Sequence, residues 1–239
     1  MKKRVSLLAL MVALLLLFTA CQDTTTATEA AADADSAVKT MTGEELVAQN
    51  EGKKKDEVLL IDVRPVEQYE EGHIPHAINI PLADTEASLE KLEPWKTEPV
   101  ILYCNTGNQS GQAADILVEN GFTNVTNAAG VKEFEYDLVT YNDILAVDML
   151  EMIDDPDTVL VDYRPADDYA GGHLDGSMNI EFDTIEENLD KLPQDKNIVI
   201  YCNTGTKSAE AAQALDEAGY ENVYNTIQGV KEYEFDLAQ

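Results

Sequence analysis

Tyr103-Cys104-Asn105-Thr106-Gly107-Asn108-Gln109-Ser110 closes an apolar run that opens at Val100, and Tyr201-Cys202-Asn203-Thr204-Gly205-Thr206-Lys207-Ser208 closes another that opens at Ile198. Two further runs, Val58 to Val63 and Val159 to Tyr163, are equally short and rich in Val, Ile and Leu. Such runs suit strands buried on both faces. After each Cys loop the apolar residues fall at helical spacing, in Ser110 to Asn120 (Ala114, Leu117, Val118) and in Ser208 to Ala218 (Ala212, Leu215). A glycine, Gly121 or Gly219, ends each stretch. Strand alternating with helix predicts an α/β fold, a parallel β-sheet covered by helices on both faces. Ligands of such sheets sit beyond the carboxyl ends of the strands, which is where Cys104 and Cys202 stand.

Outward from the loops, the chain repeats itself. Leu60, Asp62, Arg64, Pro65, Tyr69, Gly72, His73, Asn79 and Ile80 return one hundred residues later as Leu160, Asp162, Arg164, Pro165, Tyr169, Gly172, His173, Asn179 and Ile180. The register then slips by two within the polar stretch between Pro81 and Pro99, and GVKEFEYDL from Gly130 is answered by GVKEYEFDL from Gly229. Two copies of one domain follow each other, over residues 41–140 and 141–239, with the boundary near Tyr141.

The 239 residues carry 16 Lys and Arg against 46 Asp and Glu, a formal charge of -30, which excludes a nucleic-acid partner. With 44% hydrophobic residues the chain can build cores. Residues 1–20 read as a signal peptide: Lys2, Lys3 and Arg4, an apolar run from Val5 to Phe18, then Thr19 and Ala20. Leu17-Phe18-Thr19-Ala20-Cys21 resembles the lipobox of bacterial lipoproteins, in which the Cys becomes the lipidated first residue; Phe18 departs from the usual Leu. The expectation is an extracytoplasmic protein of the bacterial cell envelope, held on a membrane through acyl chains on Cys21. Loss of the three basic residues takes the charge to -33, so the lipid is the only membrane contact expected. Residues 21–40 are mostly Thr, Ala, Asp and Glu and read as a flexible linker. Order is expected from Thr42, where Thr42-Gly43-Glu44-Glu45 has the form of a capping box.

Three Cys are too few for a disulfide framework, and none has the spacing of a zinc site, so no metal or other cofactor is expected. A Gly-containing loop between a strand and a helix can turn backbone N–H groups inward as an anion nest, favouring the thiolate of a Cys at its base. Such a thiolate is a nucleophile, and the same nest can hold an oxyanion or a persulfide. A free Cys at a strand end is more often inert and buried. The same loop found twice, in an exported chain, points to function instead.

Together the Asp-x-Arg after the first strong strand (Asp62, Arg64; Asp162, Arg164), the GHIPHAINIP segment from Gly72 with its echo GHLDGSMNI from Gly172, and the Cys-x-x-Gly loop resemble rhodanese domains in tandem, over nearly all of residues 42 to 239. The resemblance implies a sulfurtransferase that moves sulfane sulfur from a small donor such as thiosulfate to a thiophilic acceptor, cyanide or a protein thiol of the envelope, through a cysteine persulfide. It implies Cys104 and Cys202 as nucleophiles, with Asn105 to Ser110 and Asn203 to Ser208 as the loops that bind the substrate. Rhodaneses often place Arg five residues after the Cys; here Gln109 and Lys207 stand instead. Lys207 can supply a point charge, so Cys202 is expected to be the better thiosulfate site and Cys104 the weaker. The acidic surface slows anionic donors and favours a neutral or protein-bound sulfur partner.

His73 and His173 are expected to be structural, His76 to lie at the surface, Arg64 and Arg164 to form internal ion pairs, and Phe134 and Tyr233 to be core aromatics. Two other function classes stay open, a noncatalytic binding or sulfur-carrier module and a dithiol redox protein in which Cys104 and Cys202 cycle with each other. Phosphatase chemistry is disfavoured, because it needs Arg six positions after the Cys, where Ser110 and Ser208 stand.

Overall fold

The computed structural model describes residues 38–238. The leader reading of residues 1–20 and the lipidation reading of Cys21 fall outside these residues. The first repeat runs β1 (Val38–Met41), α1 (Gly43–Gln49), β2 (Leu59–Asp62), α2 (Val66–Glu70), β3 (Ala77–Asn79), α3 (Leu89–Leu92), β4 (Val100–Tyr103), α4 (Asn108–Glu119) and β5 (Val125–Ala128). The second runs β6 (Asn142–Ile144), α5 (Ala146–Met152), β7 (Thr158–Asp162), α6 (Ala166–Ala170), β8 (Met178–Asn179), β9 (Asn197–Tyr201), α7 (Thr206–Glu217) and β10 (Val223–Thr226). The two-residue slip is absorbed between β3 and β4, where α3 and flanking 3-10 turns are answered in the second repeat by one 3-10 run, Ile185–Lys191.

Each repeat is a five-stranded parallel sheet, and the two sheets join edge to edge in the order β1-β5-β4-β2-β3-β6-β10-β9-β7-β8. The central strands are buried on both faces, as their apolar runs require. Leu59, Ile61, Val100 and Leu102 pack on one side with Ala113 and Leu117 of α4; Leu60, Ile101 and Tyr103 pack on the other with Leu46 of α1. Burying each of these Leu or Ile side chains contributes about 2 kcal/mol. In the second repeat Val161, Ile198 and Ile200 pack with Ala212 and Leu215 of α7, while Leu160, Val199 and Tyr201 face Met149 of α5.

The capping box forms as read: Thr42 Oγ1 accepts from the Glu45 N–H at 3.3 Å, and Glu45 Oε2 accepts from the Thr42 N–H at 2.9 Å. Order begins earlier than the composition implies, however. Residues 38 to 40 of the expected linker belong to β1, which pairs with β5 from Val38↔Val125 to Met41↔Ala128. Its exposed Lys39 and Thr40 carry no hydrophobic signal; the ladder with β5 and the packing of Val38 and Met41 against the core order it.

The repeats meet where β3 pairs with β6 through Ile78↔Asp143. Leu145 of the second repeat is buried in the first repeat's core, with Val147 and Ile227 packed against that core. Asp143 is buried, its side chain accepting from the His76 N–H at 2.7 Å and from Asn225 Nδ2 at 2.6 Å. Its backbone N–H donates to Tyr69 Oη at 3.0 Å. Burial raises its carboxyl pKa to about 7, against the pull of Asn225, the His76 N–H and Lys55. His76 is therefore not at the surface but half-buried in the junction, and burial, helped by Lys55, lowers its pKa to about 3.

Candidate functional site

Cys104 follows β4 and Cys202 follows β9, each 1% exposed, so strand order carries both sulfurs to the carboxyl ends of central strands. Gly107 and Gly205 cap the next helices in the left-handed region, each with φ 71°, a conformation open to Gly at little cost. The helices start at Asn108 and Thr206, two residues earlier than the serines suggest. Ser110 and Ser208 consequently lie in the first helical turn, where they face the sulfur: Ser110 Oγ is 3.3 Å from Cys104 Sγ and Ser208 Oγ is 3.4 Å from Cys202 Sγ.

The first loop brings several donors to the sulfur. Burial pushes the Cys104 thiol up, but the Ser110 hydroxyl and the backbone N–H groups of Ser110, Thr106 and Gln109 outweigh it, leaving the thiol below its ordinary value. These donors converge because the loop closes onto the start of α4, whose N-terminal N–H groups have no partner within the helix. Asn105 Nδ2 reaches Gln68 Oε1 at 2.8 Å, which anchors the loop to α2. Asn127 braces it, donating from Nδ2 to the Gly107 carbonyl at 2.9 Å while its Oδ1 lies 2.7 Å from Ser110 Oγ.

The second loop keeps the shape but changes the neighbours. Asn203 Nδ2 is 3.3 Å from Asp168 Oδ2, and Ser208 Oγ lies 3.1 Å from the Gly205 carbonyl. The counterpart of Asn127 is Asn225, which is turned to Asp143 and leaves its own Oδ1 buried without a partner among the described residues. Lys207, the expected donor-binding cation, is committed elsewhere: its Nζ lies 2.6 Å from Glu210 Oε2 and 3.7 Å from Asp183 Oδ1. In a chain this acidic, carboxylates on the same helix turn and the facing segment capture it first.

Behind each loop stands the GVKE segment. Val131 N–H donates to the Cys104 carbonyl and Lys132 N–H to the Asn105 carbonyl, both at 3.0 Å; Val230 and Lys231 repeat this at Cys202 and Asn203, at 3.1 and 3.0 Å. A Cβ on Gly130 would lie 2.3 Å from the Asn105 carbonyl carbon, and one on Gly229 2.1 Å from that of Asn203, so only glycine lets the two backbones approach. The repetition of GVKE was visible in the sequence; its role as the loop's back wall was not.

The Asp-x-Arg elements are internal pairs, each Arg lying over the Tyr that precedes the Cys. Arg64 Nε lies 2.9 Å from Asp62 Oδ2, and its Nη2 donates to the Gly72 carbonyl at 2.8 Å. Arg164 repeats this on Asp162 and Gly172 at 2.8 and 2.7 Å. His73 and His173 stack on Tyr69 and Tyr169, with ring centroids 3.6 and 3.9 Å apart, and serve structure. Phe134 and Tyr233 are half-buried rather than core, and Phe134 borders an open cleft beside Thr106 and Gly107.

The family model described as "Rhodanese-like domain" matches residues 43–134 and again 145–236. The thiosulfate sulfurtransferase PspE of Escherichia coli (strain K12) is 49% identical over 73 residues, covering 30% of this chain and 70% of PspE. The tRNA uridine(34) hydroxylase of Yersinia pestis (strain Pestoides F) is 35% identical over 113 residues, 44% of this chain, which spans only 32% of that protein. A solved structure titled "rhodanese with anions from E. coli" is 45% identical and covers 34% of this chain and 96% of its own, with a TM-score of 0.32.

Proposed function

The chain belongs to the rhodanese family, and on that premise we propose that it is a sulfurtransferase in which Cys104 and Cys202 each carry sulfane sulfur. The thiolate attacks the outer sulfur of a donor such as thiosulfate, the S–S bond breaks, sulfite leaves with the electron pair, and a cysteine persulfide remains. An acceptor, cyanide or a thiolate, then attacks the terminal sulfur and takes it, as thiocyanate or a new persulfide, and the cysteine thiolate returns. The two steps balance without oxidant or reductant. The observation that carries this reading is the set of donors aimed at Cys104 Sγ, the Ser110 hydroxyl and the N–H groups of Thr106, Gln109 and Ser110. These stabilise the attacking thiolate, and after transfer the same donors are placed to hold the persulfide. Similarity to a thiosulfate sulfurtransferase supports the donor class.

Steady-state formation of thiocyanate from thiosulfate and cyanide by the soluble chain tests the reading. Turnover that is lost in the Cys104→Ser, Cys202→Ser double variant supports it; no turnover from thiosulfate or from a persulfide donor leaves a binding module as the better account. The order of basic, apolar and small residues before Cys21 supports export and lipid anchoring in the envelope. Incorporation of a labelled fatty acid in a bacterial host, abolished by Cys21→Ser, is the expected outcome there; labelling that survives the substitution contradicts it.

A further inference from the structure

The two loops differ most in what lies over them. Thr106 and Asn108 are exposed and Gly107 is half-buried, whereas Thr204 and Thr206 are half-buried and Gly205 is buried. Gly205 is covered by Ile227 and Thr226 of its own repeat, and first-repeat residues face the loop across two clefts. Lys53, Lys55 and His76 line one cleft together with Thr204, Thr206 and Glu210. A second cleft shares Lys55 and His76 and brings Trp95 of the first repeat together with Gly205 and Ile227 of the second. The cleft bordering the first loop has Glu44 and Glu133 in its lining and no cation.

Charge in the cleft at Thr204 and Thr206 is almost entirely committed. Lys55, its side chain only 9% exposed, pairs with Asp56 at 3.2 Å, Glu210 is taken by Lys207, and His76 is neutral at its lowered pKa. Lys53 is exposed on the 3-10 turn Gly52–Glu57 and has no ion pair or side-chain hydrogen bond among the described residues. We propose that anionic donors reach Cys202 through this cleft between the repeats, and that Lys53 of the first repeat supplies the unpaired positive charge there, the second loop's own Lys207 being paired with Glu210 and Asp183. The inference rests on Cys202 being a sulfur carrier, and it makes the second site a joint product of both repeats.

The test uses the soluble chain carrying Cys104→Ser, so that Cys202 alone reacts. Three rates are followed by mass spectrometry at low ionic strength: loading of sulfur from thiosulfate, alkylation by anionic iodoacetate and alkylation by neutral iodoacetamide. Adding Lys53→Glu is expected to slow thiosulfate and iodoacetate about fivefold and leave iodoacetamide unchanged, with the difference fading as salt is raised. Lys39→Glu, an equal change of net charge on β1 at the far edge of the sheet, is expected to change none of the rates. Equal slowing by both substitutions, or none by Lys53→Glu, overturns the inference. If no sulfur loads onto Cys202 in the parent protein, the sulfur-carrier reading of that residue falls, and the iodoacetate arm still decides whether Lys53 guides anions to it.

Discussion

The Cys104 and Cys202 loops, alike in six of eight residues from Tyr to Ser, occupy different surroundings. The first opens to solvent and is braced by Asn127. The second borders clefts that first-repeat residues also line, and Asn225, its would-be brace, is drawn to Asp143 at 2.6 Å. The change of brace goes with a single position on the first strand of each repeat. Thr40 pairs with Asn127 in β1 and β5, and Asp143 pairs with Asn225 in β6 and β10. Asp143 is also the residue that accepts the His76 N–H and opposes Ile78. Joining the repeats and altering the second loop are thus one structural event, and a duplicated site differs from its twin through what packs on it more than through its own residues.

The largest effects test what the repeats share. Arg64→Met strands Asp62 as a buried carboxylate, and Arg164→Met does the same to Asp162; each is expected to cost about 3 to 5 kcal/mol in denaturant unfolding. A marked inequality between the two would show that the frameworks are not equivalent. The loop glycines come next. A Cβ on Gly205 would meet the Ile227 carbonyl oxygen at 2.5 Å, whereas on Gly107 the nearest contact is Asn127 Nδ2 at 3.7 Å. Gly107→Ala therefore pays chiefly for its positive φ, about 1 to 2 kcal/mol, and Gly205→Ala must also move backbone and should cost clearly more. Equal costs in thermal unfolding would mean that the second loop is no tighter than the first.

The junction has a pH signature. The Asp143 carboxyl titrates near 7 in the folded protein against about 4 when unfolded, so the folded state holds an extra proton between those values. This contribution is present at low pH and is lost as pH rises from about 4 through 7, worth up to about 3 to 4 kcal/mol. Asp143→Asn should remove it, so that the variant gains on the parent across that window; a difference independent of pH would contradict the buried carboxyl. The smallest effect expected is at the first thiol. Ser110→Ala removes one donor to Cys104, so the pH inflection of its alkylation should move up and its rate at neutral pH fall about threefold to tenfold, as for loss of one hydrogen bond to a charged acceptor. An unmoved inflection would leave the backbone N–H groups as the whole cause.

The repeat, the parallel sheet and the two cysteine loops were legible because they rest on local signals, apolar runs buried on both faces and a loop pattern that occurs twice. Features made by distant neighbours were not. β1 has only Val38 and Met41 as apolar residues, and its order comes from the ladder with β5 and from the packing of those two side chains on the core. For Lys207 only part of the pairing was hidden: Glu210, its nearer partner, stands three positions on, whereas Asp183 lies 24 positions away. One junction signal was present but unread: His76 stands where the second repeat has Gly176, and both adopt positive φ, 66° and 77°. A non-glycine residue in that conformation marks a position held by something else, here the Asp143 carboxylate on its N–H.

The most direct measurement is peptide mass spectrometry of the reduced soluble chain after incubation with thiosulfate, with Cys104→Ser and Cys202→Ser alongside. The account predicts one sulfur atom added to each cysteine, removable by cyanide, with each single variant still loading at the cysteine it retains. Sulfur on neither cysteine, from thiosulfate or from a persulfide donor, would contradict it.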